Sequence, residues 1–330
     1  MLDQFKALVT VKRGDEFITG VNYRQLSDLP AGELLVKVAY SSLNYKDALS
    51  ASGHPGVSRH FPHTHGIDAA GVVESSSDSR FQTGDSVIVT GFDLGMNTDG
   101  GLAQYMRVPA AWAVPLPNGL SLKEAMILGT AGLTAGLSVD KLLSADLDSK
   151  SSVLVTGASG GVGSVAVALL SKLGFDVHAS TGKSSCHNWL HSLGAATIVE
   201  RAEISEPSKR PLLKPRWHAA IDTVGGTTLA TLLKSIENEG VVTCCGLTAG
   251  DHFEASVYPF ILRGVSLLGV DSVEISLAAK QRIWQRFAED WALPTDIIDQ
   301  LVECISLDQC VDYLPRFLKG TIKGRILVAL

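Results

Sequence analysis

The sequence predicts an α/β protein of two domains, one built on a doubly wound parallel sheet and one on a smaller, partly open β-barrel. Three observations predict it. The apolar run Val153-Leu154-Val155 feeds a glycine-rich turn from Gly157 to Gly163, and a helix of small and apolar residues, Val165 to Leu173, follows. From Val153 to Val270, strand patterns alternate with helical ones, as parallel crossovers require. Before that stretch the chain reads as short strands parted by Gly and Pro, and after it as a helical pattern and a closing strand.

Taken in order, residues 32–41, 71–74, 85–90 and 100–108 read as barrel strands, the third following the turn signal Thr83-Gly84. Ser121-x-x-Glu124 is a capping box opening a helix that holds Ala125, Met126 and Leu128. The six parallel strands are expected at 153–155, 176–180, 197–199, 219–224, 240–246 and 265–270. Residues 206–211, polar and broken by two prolines, read as a surface loop. A helix through Trp284, Phe287 and Ala288 precedes a last strand, 324–328, which should return to the first domain. The expected division is 1–125 with 272–330, and 126–271, with a ligand cleft between them.

A chain of 330 residues suits two domains, and a hydrophobic fraction of 45% supplies two cores. The formal net charge of -6, with both signs dispersed, argues against a general nucleic-acid or anionic-membrane role. Five cysteines (Cys186, Cys244, Cys245, Cys304, Cys310) form no C-x-x-C and read as reduced thiols. Met1 to Lys6 starts no secretory h-region, and no apolar run reaches the roughly 18 residues of a membrane span, so a cytoplasmic place is expected.

Strand, glycine turn and helix in that order make a dinucleotide site. Glycines let the backbone approach the pyrophosphate, and the amides of the new helix point at its charge. Ala158-x-Gly160-x-x-Gly163 is the G-x-G-x-x-G pattern with alanine first. An NAD site places a carboxylate at the end of the second strand; here Ser180-Thr181-Gly182-Lys183 stands there, and Asp176 lies at the strand's other end. Hydroxyls and an ammonium suit a 2′-phosphate, so NADPH is expected over NADH, with Arg201 as a second cation for that phosphate. A solvated loop lysine is the competing reading of Lys183.

Several segments together carry a resemblance: residues 41–49 (SSLNYKDAL), 66–73 (GIDAAGVV), 129–135 (GTAGLTA), the glycine turn, 220–225 (AIDTVG), 259–263 (PFILR) and 270–273 (VDSV). Over nearly its whole length the chain resembles the zinc-free medium-chain dehydrogenase/reductases, and within them the acryloyl-CoA reductase branch, often labelled quinone oxidoreductase. The resemblance implies a GroES-like barrel, a Rossmann domain, NADPH and a homodimer. It implies that Tyr45 lies near the nicotinamide, that Ala158, Ser159, Gly160, Gly161 and Val162 hold the pyrophosphate, and that Ser180, Thr181, Gly182 and Lys183 hold the 2′-phosphate. Arg201, Leu247, Ile261 and Ser272 match further cofactor-lining positions. Two departures are His63 and His65 in a stretch that is apolar in relatives, and Lys319-Gly320 in place of an Asn-containing tail segment.

Zinc-dependent relatives carry Gly-His-Glu where this chain has Gly66-Ile67-Asp68, and no cysteine precedes Cys186, so no metal is expected. The cluster His54, His60, His63 and His65 reads first as surface or packing histidines, with substrate or metal contact as lesser readings. Conjugate reduction of an activated alkene then becomes the expected chemistry, needing donors at the oxygen that gains charge and a proton for the α-carbon. Tyr45 is the candidate proton donor or orienting group, against a purely structural tyrosine. Asn44 could hold a cofactor hydroxyl or carboxamide. Asp47 could position Tyr45, although capping of the next helix is the stronger reading. Arg325 could face the cleft as a cation for the enolate or a CoA phosphate, or form a barrel-surface ion pair. The expected activity is NADPH-dependent reduction of a short α,β-unsaturated acyl-CoA; alternatives are a quinone or enone reductase and a non-catalytic NADPH-binding sensor.

Overall fold

The computed structural model describes residues 4–145, 147–207 and 209–330. The chain opens with β1 (Gln4–Arg13) and β2 (Glu16–Gln25), then β3 (Leu34–Leu43), α1 (Tyr45–Ala51), β4 (His63–Thr64), β5 (Asp68–Ser76), β6 (Ser86–Thr90), β7 (Tyr105–Val108) and β8 (Ala113–Pro115). Next come α2 (Leu122–Leu143), β9 (Ser152–Val155), α3 (Gly161–Lys172), β10 (Asp176–Thr181), α4 (His187–Ser192), β11 (Thr197–Glu200), β12 (Trp217–Asp222), α5 (Gly226–Ser235), β13 (Ile236–Cys244), α6 (Tyr258–Arg263) and β14 (Ser266–Gly269). The tail holds α7 (Leu277–Ala288), α8 (Thr295–Leu301), β15 (Val302–Ser306), α9 (Cys310–Leu318) and β16 (Arg325–Ala329).

Two compact units result: Met1–Thr130 with Ser272–Ala292 and Leu301–Leu330, and Ala131–Asp271 with Leu293–Gln300. The division thus falls after Thr130, and Leu293–Gln300 joins the second unit, whereas 1–125 and an uninterrupted 272–330 were expected for the first.

In the first unit a seven-stranded sheet runs β15-β16-β3-β5-β6-β8, with β7 also on β3, beside a three-stranded sheet β2-β1-β4. The closing strand pairs as the sequence predicts: β16 lies antiparallel to β3, Ile326 opposite Leu43. Its core joins Leu8, Leu43, Ala48, Leu314 and Ile326 under α1 and α9, and a second cluster joins Val36, Val38, Val87 and Met106.

The second unit is a six-stranded sheet, β11-β10-β9-β12-β13-β14, parallel throughout. This is the doubly wound order, which opens a ligand crevice at the strand ends where the winding reverses, beside β9. Val153, Leu154 and Val155 are fully buried, as a central strand covered on both faces requires.

Four expectations change. The β1–β2 hairpin and β15 were not anticipated. Of residues 100–108 only Tyr105–Val108 is strand; before it Ala103 makes a single bridge to Ala7. Among the described residues α2 is long and apolar enough to cross a membrane, but 78% of its most apolar stretch is buried inside the protein, so it is a core helix. Its apolarity is an average over Gly, Thr and Ser, which is why no continuous run announces it. Residues 206–211 are irregular as expected, with Ser208 outside the described residues, as are Met1–Asp3.

Candidate active site

At the end of β9 the backbone turns through Gly157, at φ 57°. The Ala158 amide donates to Ser180 O at 2.9 Å, and Gly160 N donates to Gly157 O at 2.9 Å, closing the turn against β10. Gly160 is the N-cap of α3 and no side chain caps the helix, so its first amides are left for a ligand. A Cβ on Gly163 would lie 2.4 Å from Gly157 O and 2.7 Å from Ala158 Cα. Only glycine lets the helix approach the strand this closely. Gly163→Val is therefore expected to cost about 2–3 kcal/mol as overpacking, read as a lowered unfolding midpoint.

Asp222, buried at the end of β12, fixes the turn from the other side. Thr156 Oγ1 donates to its Oδ1 at 2.7 Å, and Gly225 N donates to its Oδ2 at 2.8 Å. Burial pushes its carboxyl above the usual range. Sequence reasoning gave Asp222 no role; a lone acid closing an apolar strand was the available signal.

Ser180 and Thr181 end β10, both buried, and Ser159 Oγ shares a 2.8 Å hydrogen bond with Thr181 Oγ1. Lys183 N donates to Thr181 Oγ1 at 3.1 Å. A Cβ on Gly182 would meet Arg201 Nη2 at 2.9 Å, so the guanidinium lies over this glycine. Burial lowers the Lys183 ammonium, Cys186 opposes that shift, and the nearby Arg201 adds to it. The structure thus gathers Ser159, Ser180, Thr181, Gly182, Lys183 and Arg201 at one strand end, two cations with hydroxyls beside them. Asp176, at the far end of β10, meets His178 Nε2 at 3.1 Å. Leu247 and Ile261 are exposed, and Leu247 lines an open pocket of about 530 Å³ with Gly225, Cys244, Cys245 and Val270. Ser272 belongs to the first unit and is buried.

Tyr45 begins α1 and is 43% exposed. Beneath it lies a buried polar network centred on Asp68. Its carboxylate accepts from Ser42 Oγ at 2.7 Å, Asn44 Nδ2 at 2.8 Å, and Thr130 N at 2.9 Å and Oγ1 at 2.5 Å. Arg325 Nη2 stands 3.7 Å away as its ion-pair partner. A Cβ on Gly129, where α2 breaks at φ 53°, would press on Asp68 Oδ2 at 2.5 Å and Arg325 Nη2 at 2.7 Å.

The network revises three expectations. Arg325 is neither an open cation nor a surface partner: it is 2% exposed, and its Nε, Nη1 and Nη2 donate to Ile127 O, Asn44 Oδ1 and Ser42 Oγ at 2.8, 3.1 and 2.9 Å. The Asn44 amide, expected at a cofactor, is occupied by Ser42 O, Asp68 and Arg325. Asp47 does cap α1, but from the third position of its first turn, in a capping box with Asn44, rather than from before the helix. Its Oδ2 accepts from Asn44 N at 2.7 Å, and its Oδ1 from Gly66 N and Ile67 N at 3.1 Å, so it locks the Asn44–Tyr45 turn to the strand approach. Burial pushes its carboxyl up to about 7, against the opposing pull of the Asn44 amide. Asp68, Ser42 and Thr130 were missed as members.

His63 and His65 are core side chains. His65 bonds Thr10 Oγ1 and Ser50 Oγ, and burial, with His63 beside it, lowers it to about 3, so it is neutral. His63 bonds Gly95 O; His54 and His60 are exposed. Among the described residues no three His, Cys, Asp or Glu side chains form a group able to hold a metal, and Asp68 spends its oxygens on the donors named above. A zinc ion does not fit this donor set.

Residues 30–118 match the Alcohol dehydrogenase GroES-like domain and residues 161–289 the Zinc-binding dehydrogenase family. The chain is 45% identical to the acrylyl-CoA reductase AcuI of Ruegeria pomeroyi, covering 98% of each chain. It is also 45% identical to the putative quinone oxidoreductase YhfP of Bacillus subtilis, covering 99% of each. The yhdH oxidoreductase of Salmonella enterica, solved with NADP, superposes with a TM-score of 0.95 at 44% identity, over 98% of this chain and 99% of that one. Bacillus subtilis yhfP, solved with NAD, superposes at 0.96, 45% identical over 99% of each chain. With a GroES-like barrel, a doubly wound sheet and full-length likeness to these proteins, the chain belongs to the medium-chain dehydrogenase/reductases, in the group that holds the AcuI and YhfP proteins.

Proposed function

We propose that this protein reduces the carbon–carbon double bond of a short α,β-unsaturated acyl-CoA, acryloyl-CoA first, using NADPH. The observation that carries the reading is the cluster of Lys183, Arg201, Ser180 and Thr181 at the end of β10, joined to likeness with AcuI along the whole chain. Ala158 to Val162 hold the pyrophosphate, the β10 cluster holds the 2′-phosphate, and Leu247, Ile261 and Ser272 line the remainder. NADPH, when bound, supplies the hydride that adds to the β-carbon. Negative charge then collects on the thioester oxygen, and hydrogen-bond donors rather than a metal must carry it. Tyr45, held by the Asn44–Asp47 capping contact, supplies the proton for the α-carbon or orients the group that does.

Tyr45→Phe should lower turnover about 100-fold while leaving NADPH affinity unchanged; an unaltered turnover number removes Tyr45 from the chemistry. The function is tested by following NADPH and NADH oxidation with acryloyl-CoA, enones and quinones. Turnover of acryloyl-CoA and not of quinones supports the reading. The reverse favours a quinone reductase, which the likeness to YhfP makes the second reading. Tight binding without turnover on any acceptor would indicate a sensor.

A further inference from the structure

We propose that the ionised carboxylate of Asp47 is the form that holds Tyr45 in its working position, so that protonation of this one buried group releases the Tyr45 turn and switches turnover off. The inference rests on the part given to Tyr45 above and adds what controls it. Asp47 is fully buried. Its contacts join two segments of the first unit: Asn44 N at the head of α1, and Gly66 N and Ile67 N on the way into β5. Asp68 follows Ile67 and takes the Asn44 side-chain amide at 2.8 Å. Asn44 is thus gripped by two carboxylates, through its backbone by Asp47 and through its side chain by Asp68, and Tyr45 is the next residue.

Every hydrogen-bond partner of the Asp47 carboxyl is a donor. Three N–H groups suit the lone pairs of an anion. A protonated carboxyl has to aim an O–H at one of them, because no acceptor stands among its partners. The neutral form therefore gives up either the Asn44 contact or the Gly66–Ile67 pair, and loss of the first frees the head of α1. The ionised form carries the opposite cost, a buried charge that no cation meets directly. Arg325 gives Nη1 to Asn44 Oδ1 and stands 3.7 Å from Asp68, so two carboxylates share one guanidinium. Burial, with Asp68 adding to it, pushes the Asp47 carboxyl up to about 7 against the pull of the three amides. The two forms are therefore nearly equal in energy at neutral pH.

The other titratable groups around it do not replace its role. On α1 itself Tyr45 and Lys46 precede it. From α9 comes the Cys310 thiol, pushed up to about 12 by burial, Asp47 and Asp308, so it stays neutral. His65, beyond β4, is neutral as well. On β2, Arg24 is spent on Asp28 and Asp99, and Glu16 and Tyr23 are exposed. Stability and activity then run in opposite directions. Since the fold raises Asp47 above its ordinary 3.8, its contribution to stability is fully present below that pH and is lost as the pH rises through about 7. Activity gains over the same window, so an acid loss of turnover there is not acid unfolding driven by Asp47.

The test uses the full chain and its Asp47→Asn variant. Turnover of acryloyl-CoA with NADPH is followed from about pH 5.5 to about 8.5, with NADPH affinity measured beside it. In the wild type, kcat should fall about tenfold for each pH unit below a midpoint near 7, with NADPH affinity unchanged. Asp47→Asn, uncharged throughout, should show no acid limb and a kcat about 30-fold below the wild type at the alkaline end. In the wild type alone, NMR follows the Asp47 carboxyl carbon and the Asn44, Gly66 and Ile67 amides, sequentially assigned, so the proposal is judged even if the variant does not fold. All four signals should titrate together with a midpoint near 7. A carboxyl still ionised at about pH 5, or an acid limb that persists in Asp47→Asn, overturns the proposal. Unaltered turnover in Tyr45→Phe overturns the part given to Tyr45 and with it the switch. NADPH oxidation by quinones and by no enoyl thioester overturns the acyl-CoA reading, while the NMR midpoint and the pH profile with the quinone still judge Asp47.

Discussion

Arg325→Met is expected to destabilise the first unit by about 3–5 kcal/mol, the usual consequence of removing one partner from a buried ion pair. The guanidinium is wholly buried and holds four places together: Ile127 O before the Gly129 break, Asn44 before Tyr45, Ser42 at the end of β3, and the Asp68 carboxylate. Methionine fills similar volume but leaves Asp68 charged and leaves three acceptors without their donors. The unfolding midpoint should fall by roughly 10 °C for a domain of this size. Asp68→Asn/Arg325→Met should recover part of the loss, because the uncompensated charge is gone. A double-mutant cycle on the thermal midpoint measures the coupling. Additive losses, or a single-variant shift below about 1 kcal/mol, would mean that the pair does not hold the Tyr45 turn. Activity should fall further than stability explains, since Asn44, which sets the start of α1, loses the Arg325 contact to its side chain.

The network under Tyr45 was the part of the site least visible in the sequence. Asn44 and Arg325 are 281 residues apart, and nothing local to either predicts that they meet. Asp68 stands in the run Ile67-Asp68-Ala69-Ala70, where an acid in an apolar strand signals a buried partner without naming it. The nucleotide turn was legible because its determinants are local: a β-branched strand, glycines at fixed spacing and a helix directly after. The same holds for the β10 end, where Ser180 to Lys183 follow one another. The β1–β2 hairpin carried a signal that went unused, since Gly14-Asp15 is a two-residue loop with Gly14 at φ 61°, joining Arg13 to its partner Glu16. The buried run Ala7-Leu8-Val9-Thr10 broke the alternation that marks a half-exposed strand, because β1 is covered on both faces there. Residues 100–108 erred in the other direction. Their alternation is genuine, yet Gly100 and Gly101 are there because a Cβ would strike the backbone of His65 and Asp68, at 2.4 Å in both cases. Close approach, not strand pairing, set that composition.

Lys183→Ala is expected to weaken NADPH about 30-fold and NADH by less than about twofold, with Lys183→Ala/Arg201→Ala near the square of the single loss for NADPH. Each cation offers a charge-assisted hydrogen bond to a dianionic phosphate, worth roughly 1.5–3 kcal/mol. A 2′-hydroxyl offers no such charge, so NADH should feel neither substitution strongly. The two residues are coupled, because Arg201 already lowers the Lys183 ammonium. A phosphate between them relieves that repulsion, so removal of either one should also remove a penalty, and the double variant should fall somewhat short of the product. Fluorescence titration of both reduced nucleotides at two salt concentrations measures this, and the NADPH-specific part should shrink as salt rises. Equal losses for the two nucleotides would return Lys183 to the role of a loop lysine, and would leave Arg201 and the hydroxyls of Ser180 and Thr181 as the discriminating groups at the end of β10. A carboxylate is what an NAD-selective site would carry there, and the sequence has none between Ser180 and Lys183. Loss of NADPH preference in the double variant should therefore come from weaker NADPH binding alone, with no gain in NADH affinity.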